Sequence, residues 1–179
     1  VEAVASSNAK PVKEFVKDAT SPVLVAFAVD LEARTLTLNF DEPVNATTMD
    51  VKEITFQSST DINSGASLPV TGGEHSKVDG LQVVFYMSSD DVDALKASDV
   101  LLVNENSSFI SASQQMVKDM AGNTFDVITT TSAKKAVGFV DDSSRPYLKS
   151  FDLNMNSNVL VLRFNETIDI GSLNKSALV

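Results

Sequence analysis

The chain has 179 residues, 43% of them hydrophobic, with a formal net charge of −10, a pI near 4.4 and no cysteine. That is enough for one ordinary packed domain with residues to spare. The missing cysteines exclude disulfides, thiol catalysis and thiolate metal sites, and the acidity argues against phosphate backbones and anionic membranes while favouring cations.

The N-terminus, Val1-Glu2-Ala3-Val4, is not a signal peptide and does not begin with Met, which suits a fragment of a longer or processed chain. No run approaches the roughly 18 apolar residues of a membrane span. Val23–Val29 is an apolar stretch behind Pro22 and predicts a strand. Asp30–Arg34 reads as a hairpin connection. Arg34–Phe40 alternates, with Leu36, Leu38 and Phe40 on one face, and predicts a half-buried strand. Asp50–Gln57 predicts a third strand. Residues 58–80 are rich in Ser, Thr, Gly and Asp and read as mostly loop, with a short apolar piece at Leu68–Val70. Gly80–Met87 is the most hydrophobic strand candidate, and its run Val83–Met87 reads as core. Ser88-Ser89-Asp90-Asp91 has the capping oxygens and first-turn acids of a helix start, predicting a helix over Ser88–Ser98 with Val92, Leu95 and Val100 as its apolar stripe. Phe109–Ser111 predicts a further strand and Val117–Asn123 a turn. Phe125–Thr131 and Ala136–Val140 close the unit as strands. The expected fold is all-β: an immunoglobulin-like β-sandwich with one short helical crossover per unit.

The sequence also repeats. Pro22-Val-Leu-Val-Ala-Phe27 recurs as Pro146-Tyr-Leu-Lys-Ser-Phe151, an offset of 124 residues. At the same offset Leu36, Leu38, Phe40 and Glu42 fall on Leu160, Leu162, Phe164 and Glu166. Upstream, Phe15, Val16 and Asp18 fall on Phe139, Val140 and Asp142, so residues 1–55 map onto 125–179 without a gap. A fixed period implies stacked units. Residues 1–17 read as the C-terminal strands of a preceding repeat, 18–141 as a complete repeat, and 142–179 as the N-terminal part of the next. The unfinished last copy predicts that the natural chain continues.

Two stretches carry a family resemblance. Leu36-Thr-Leu-Asn-Phe-Asp-Glu-Pro-Val-Asn-Ala-Thr-Thr-Met49 and Val117-Lys-Asp-Met-Ala-Gly-Asn123 resemble the bacterial immunoglobulin-like domains of S-layer type. In those domains a strand ending in Phe-Ser/Asp-Glu-Pro-Val begins the unit and an Asp-x-Ala-Gly-Asn turn precedes its last strand. This unit is longer, and its helix with Asp93-Ala-Leu-Lys96 is an addition. Long units of this kind are also similar to repeats of cell-surface, adhesive or flagellar-hair proteins of marine protists. The resemblance implies an extracellular or cell-surface role with no catalytic centre.

Four sequons, at Asn45, Asn106, Asn165 and Asn174, offer N-linked glycan sites if the source is a secreting eukaryote. Asp18 and Asp142 lie in equivalent linkers before Pro22 and Pro146, Glu42 ends a strand, and Asp119 sits in the turn. Ca²⁺ takes six to eight oxygens from several loops, so these four acids are candidate Ca²⁺ ligands, the one cofactor the sequence suggests. The plainer reading, and the favoured one, is that they are turn and cap residues on an acidic surface. The acid pairs Asp90-Asp91 and Asp141-Asp142 read as caps or linkers rather than a glycosidase pair. His75 is the single histidine and reads as a solvated loop residue. With no nucleophile or phosphate motif beside it, the chain is expected not to be an enzyme.

The leading expectation is therefore a structural repeat of a filament, stalk or layer. Its partners would be neighbouring repeats of the same chain and other copies, without nucleic acid. Alternatives are an adhesin or carbohydrate-binding module using the loop Ser58–Asp79, which carries no aromatic side chain, and an accessory domain of a secreted enzyme.

Overall fold

The computed structural model describes residues 9–174 and 176. In chain order the strands are β1 (Leu24–Asp30), β2 (Thr35–Asn45), β3 (Ile54–Gln57), β4 (Ser67–Pro69), β5 (Gly73–His75) and β6 (Gly80–Met87). The helix α1 (Ser89–Lys96) follows. Then come β7 (Phe109–Ala112), β8 (Lys118–Asp119), β9 (Lys134–Lys135), β10 (Gly138–Val140), β11 (Leu148–Asn154) and β12 (Val159–Phe164).

One sheet runs β10-β1-β2-β6-β5, with β8 also paired to β2, and a second runs β4-β3-β7-β9. Phe27, Leu36, Leu38 and Phe85 from the first sheet and Ile54, Phe56 and Ile110 from the second are each at most 1% exposed and belong to one core. Alternation alone would not put both Leu24 and Phe27 inside, because they are three residues apart. A bulge between Leu24 and Ala26 shifts the register and lets both face inward, leaving Val25 outside. Phe125 closes the core edge-on to Phe40, with ring centroids 6.3 Å apart and planes at 86°.

Helix α1 starts where its caps predict: the Ser88 side chain accepts from the Asp91 amide at 3.1 Å. Val92 and Leu95 are buried, but Val100 lies beyond the helix and is exposed; Leu101 and Leu102 fill the space instead. Asp91 is 1% exposed. Its carboxylate accepts from the amides of Thr71 and Gly72 and the Thr71 hydroxyl, which ties the preceding loop to the helix. Gly73 follows at φ +133°, where an added Cβ would stand 2.3 Å from the Tyr86 carbonyl oxygen. Only glycine fits there.

Several expected boundaries move. Residues 51–53 form a 3₁₀ turn, so β3 begins only at Ile54. The stretch 58–80 holds the short strands β4 and β5, and His75 is a half-buried member of β5 rather than a solvated loop residue. Its Nδ1 lies 3.0 Å from the Ser76 carbonyl oxygen and its Nε2 2.9 Å from Lys77 Nζ. Phe125–Thr131 is not a strand. It contributes one isolated bridge, Ala112 to Ile128, because Phe125 is anchored as a plug while Asp126 and Val127 face solvent.

The hairpin β11–β12 repeats the pairing register of β1–β2 at the sequence offset. The pairs Phe27↔Leu38 and Val29↔Leu36 become Phe151↔Leu162 and Leu153↔Leu160, and the bulge recurs between Leu148 and Ser150. Asp41 Oδ1 accepts from the Val23 amide at 2.8 Å, and Asn165 Oδ1 from the Tyr147 amide at 2.7 Å. Arg34 and Asn158 turn both hairpins at φ 59° and 54°. The surroundings differ: Phe27 is 1% exposed and Phe151 62%, since no second sheet covers β11–β12 among the described residues. Phe15 and Val16, the counterparts of Phe139 and Val140 in β10, are likewise exposed and lie in no strand.

Candidate functional site

The chemistry-bearing side chains gather where residues 18–22 and 142–146 lead into the two copies of the hairpin. At the first place, Asp18, Glu42 and Asp119 each bring one carboxylate oxygen within 4.8 Å of the others. The sequence places Asp18 in a linker whose Oδ1 accepts from the Thr20 amide at 3.0 Å. Glu42 lies in the part of β2 that runs past Phe40. Asp119 ends β8 and organises the following turn. Its Oδ1 accepts from the amides of Ala121 and Asn123 at 2.9 and 2.7 Å, and its Oδ2 from Asn123 Nδ2 at 2.7 Å. Gly122 supplies φ +92°, which closes that turn. Asn123 Nδ2 also donates to the Asp18 carbonyl at 3.3 Å, so linker and turn are tied together.

Burial opposes ionisation of Asp119, but the bonds from Asn123, Gly122 and Ala121 outweigh it and hold its carboxyl below the ordinary range. Glu42 goes the other way. Desolvation, then the charges of Asp18, Asp119 and Asp41, push its carboxyl upward, and its Oε1 is buried with no hydrogen-bond partner.

At the second place Asp142 and Glu166, the counterparts of Asp18 and Glu42, flank Lys96 at the end of α1. The ammonium pairs with Asp142 and lies 2.8 Å from Glu166 Oε2. The Glu166 side chain is only 6% exposed, and its Oε1, like that of Glu42, has no partner. Burial works against the Lys96 charge, but the two carboxylates overcome it and raise its pKa. Burial likewise opposes ionisation of Asp142, and Lys96 and the Ser144 amide overcome that to lower it.

Two further contacts span the same junction. Glu32 accepts from the Ser143 amide at 2.8 Å and the Ser144 hydroxyl at 2.6 Å, and the Ser144 and Ser143 bonds hold its carboxyl below the ordinary range. Thr167 Oγ1 donates to Asp93 at 2.6 Å.

The four candidate Ca²⁺ ligands therefore do not form one cluster. Asp18, Glu42 and Asp119 come together; Asp142 lies in the second copy against Lys96, because it repeats Asp18 rather than adding to it. Lys96, Glu166 and Glu32 escaped the sequence reading. Glu166 could have been flagged, because it repeats Glu42 at the fixed offset; Lys96 has no local signal beyond being a basic residue in a last helical turn.

The sequons divide by exposure. Asn106 and Asn174 are exposed; Asn45 and Asn165 are half-buried. All four side-chain oxygens are occupied: Asn106 by Lys135, Asn165 by the Tyr147 amide across the hairpin, and Asn45 and Asn174 by amides two residues further on.

No family model matches the chain, and no curated protein does. Two solved structures are similar to it. A crystal structure of the S-layer protein rSbsC(31-844) aligns at 21% identity and a TM-score of 0.42, over 77% of this chain and 16% of that one. A crystal structure of the N-terminal part of the bacterial S-layer protein SbsC aligns at 17% identity and a TM-score of 0.44, over 81% and 31%.

Proposed function

We propose that this chain is a stretch of a tandem array of immunoglobulin-like β-sandwich units at a cell surface, with a structural and non-catalytic role in a filament, stalk or layer. Units of 124 residues, the complete one at 18–141, would be joined end to end. The observation that carries this reading is the junction around Lys96, where one unit's helix grips the opening acids of the next copy. A flexible tether needs no such contacts, whereas a spacer that transmits shape or load does. The two-sheet core and the pairing of first strand β1 with last strand β10 support the immunoglobulin-like assignment. In this array neighbouring units and other copies are the partners, and the exposed sequons Asn106 and Asn174 are where glycan would sit.

The expected behaviour is a stiff joint. In NMR relaxation, the amides of β11–β12 tumble with the core of 18–141 in the wild type. Lys96→Ala, which leaves Asp142 and Glu166 repelling each other, releases them to shorter correlation times while the core spectrum stays in place. Independent tumbling of the hairpin in the wild type sinks the rigid-array reading.

A further inference from the structure

We infer that Lys96 and Asp142 condense into an isopeptide bond, a covalent cross-link between the last turn of α1 and the linker behind β10, with Glu166 carrying the protons. An amine, a carboxyl group and a second carboxyl group meet at one point, and this bond needs all three. Lys96 Nζ lies against Asp142 Oδ2 and 2.8 Å from Glu166 Oε2. Asp142 and Glu166 are close enough that a proton on one is hydrogen-bonded by the other. The independent observation is the state of Glu166. Its side chain is 6% exposed, and its Oε1 is buried with no partner. A carboxylate placed only to neutralise an ammonium gains nothing from an orphaned buried oxygen, which costs free energy. A proton carrier, in contrast, needs lone pairs that no donor has filled, and Glu166 has them. The place is also dry on one side: the buried Leu31, Leu95, Leu101 and Leu102 line the cavity beside Lys96 and Asp142.

A proton first passes within the ion pair, from the ammonium to Asp142 Oδ2, leaving a neutral amine beside a carboxylic acid. The nitrogen lone pair attacks Asp142 Cγ, and the carbonyl electrons move onto Oδ1. That oxygen accepts from the Ser144 amide at 3.0 Å, so a donor is already in place for the charge it gains. Glu166 takes a proton from the nitrogen and returns it to Oδ2, which leaves as water when the Cγ–Oδ2 bond breaks. An ammonium and a carboxylate become one amide and one water, and Glu166 ends as it began. Burial opposes the charge on Lys96 and the two carboxylates restore it, so the amine rests as an ammonium that cannot attack. Proton transfer inside the pair removes both buried charges at once, which the leucine wall favours. Positioning supplies the rest: groups fixed in contact react with effective molarities of about 10⁵–10⁸ M, far above the water that opposes condensation. Until the bond forms, Lys96 and Asp142 are an ion pair and titrate as one; afterwards neither titrates. The bond needs only this contact, not the array proposed above, so either can fail alone.

The test is the intact mass of the purified full chain after overnight incubation at neutral pH, read under denaturing conditions and joined to a tryptic map. Wild type should weigh one water less than its sequence. One tryptic fragment should carry both Lys96 and Asp142, uncut after Lys96. Lys96→Arg keeps the ion pair and Asp142→Ala removes it; both, once circular dichroism shows them folded, should have the full mass. Glu166→Gln should form the bond at least about a hundredfold more slowly, the low end of what a positioned proton carrier contributes. Full mass in folded wild type overturns the cross-link. A water loss that survives in Lys96→Arg also overturns it, being an aspartyl succinimide that needs no amine from Lys96. An unchanged rate in Glu166→Gln overturns the role of Glu166.

Discussion

Asp142 and Glu42, at the two acidic places, give opposite pH responses. Asp142 has its pKa lowered from the ordinary 3.8, so its contribution to stability is present above that value and is lost as pH falls through the folded one. Lys96 has its pKa raised above 10.5, so its contribution is full below that value and disappears as pH rises through the folded one. The joint is therefore expected to hold throughout the neutral range and to loosen at both extremes. Glu42, raised above 4.5, does the reverse of Asp142: without a cation its contribution is present below 4.5 and is lost as pH rises through the folded value. Melts of metal-free wild type and Glu42→Gln should then agree near pH 4 and diverge by pH 7, with the glutamine variant higher. Identical curves at both pH values contradict this. The acids of the first site were legible in the sequence because turn and strand-end positions have strong local rules. Lys96 was not, because its partner lies 46 residues further along and no local pattern records that.

At the scale of elements, the same phenylalanine has two environments. Phe27→Ala empties a core position 1% exposed and should cost about 3–5 kcal/mol, whereas Phe151→Ala at 62% exposure should stay within about 0.5 kcal/mol. Urea denaturation of the two variants measures both. A comparable loss for Phe151→Ala would mean that a partner covers β11–β12 in solution. The alternation of Leu36, Leu38 and Phe40 in β2 could be read directly, whereas the apolar run of β6 hid its alternation, with Val83, Phe85 and Met87 buried and Tyr86 49% exposed. The bulge in β1 could not be read: it is visible only as an inward Leu24 out of phase with Phe27. The stretch 125–131 misled because its β-forming residues are used one at a time, as plug and bridge, and not as a ladder.

For the whole molecule, the repeat in sequence and the repeat in pairing register agree, while burial does not repeat. The offset was thus readable from residues alone; the grip on Asp142 and Glu166 needed coordinates, because the offset aligns those acids with Asp18 and Glu42 but says nothing of Lys96. The pairing of β1 with β10 carries a mechanical consequence. The two strands are parallel, through Ala28↔Gly138, Val29↔Phe139 and Asp30↔Val140, with flanking bonds from Val137 to the Phe27 carbonyl and from Leu31 to the Val140 carbonyl at 2.8 and 2.9 Å. In the 18–141 unit proposed above, the chain enters at the start of β1 and leaves at the end of β10. Tension along the chain therefore drags the two strands past each other in opposite directions and loads all these bonds in shear at once, instead of unzipping them singly. Val137 is mostly exposed, so Val137→Pro removes one of the sheared donors with little loss of packing. Single-molecule pulling through residues 18 and 141 should show a lower rupture force for that variant, and an unchanged force would place the resistance elsewhere. Under load, this unit is a clasp whose two halves are its own first and last strands.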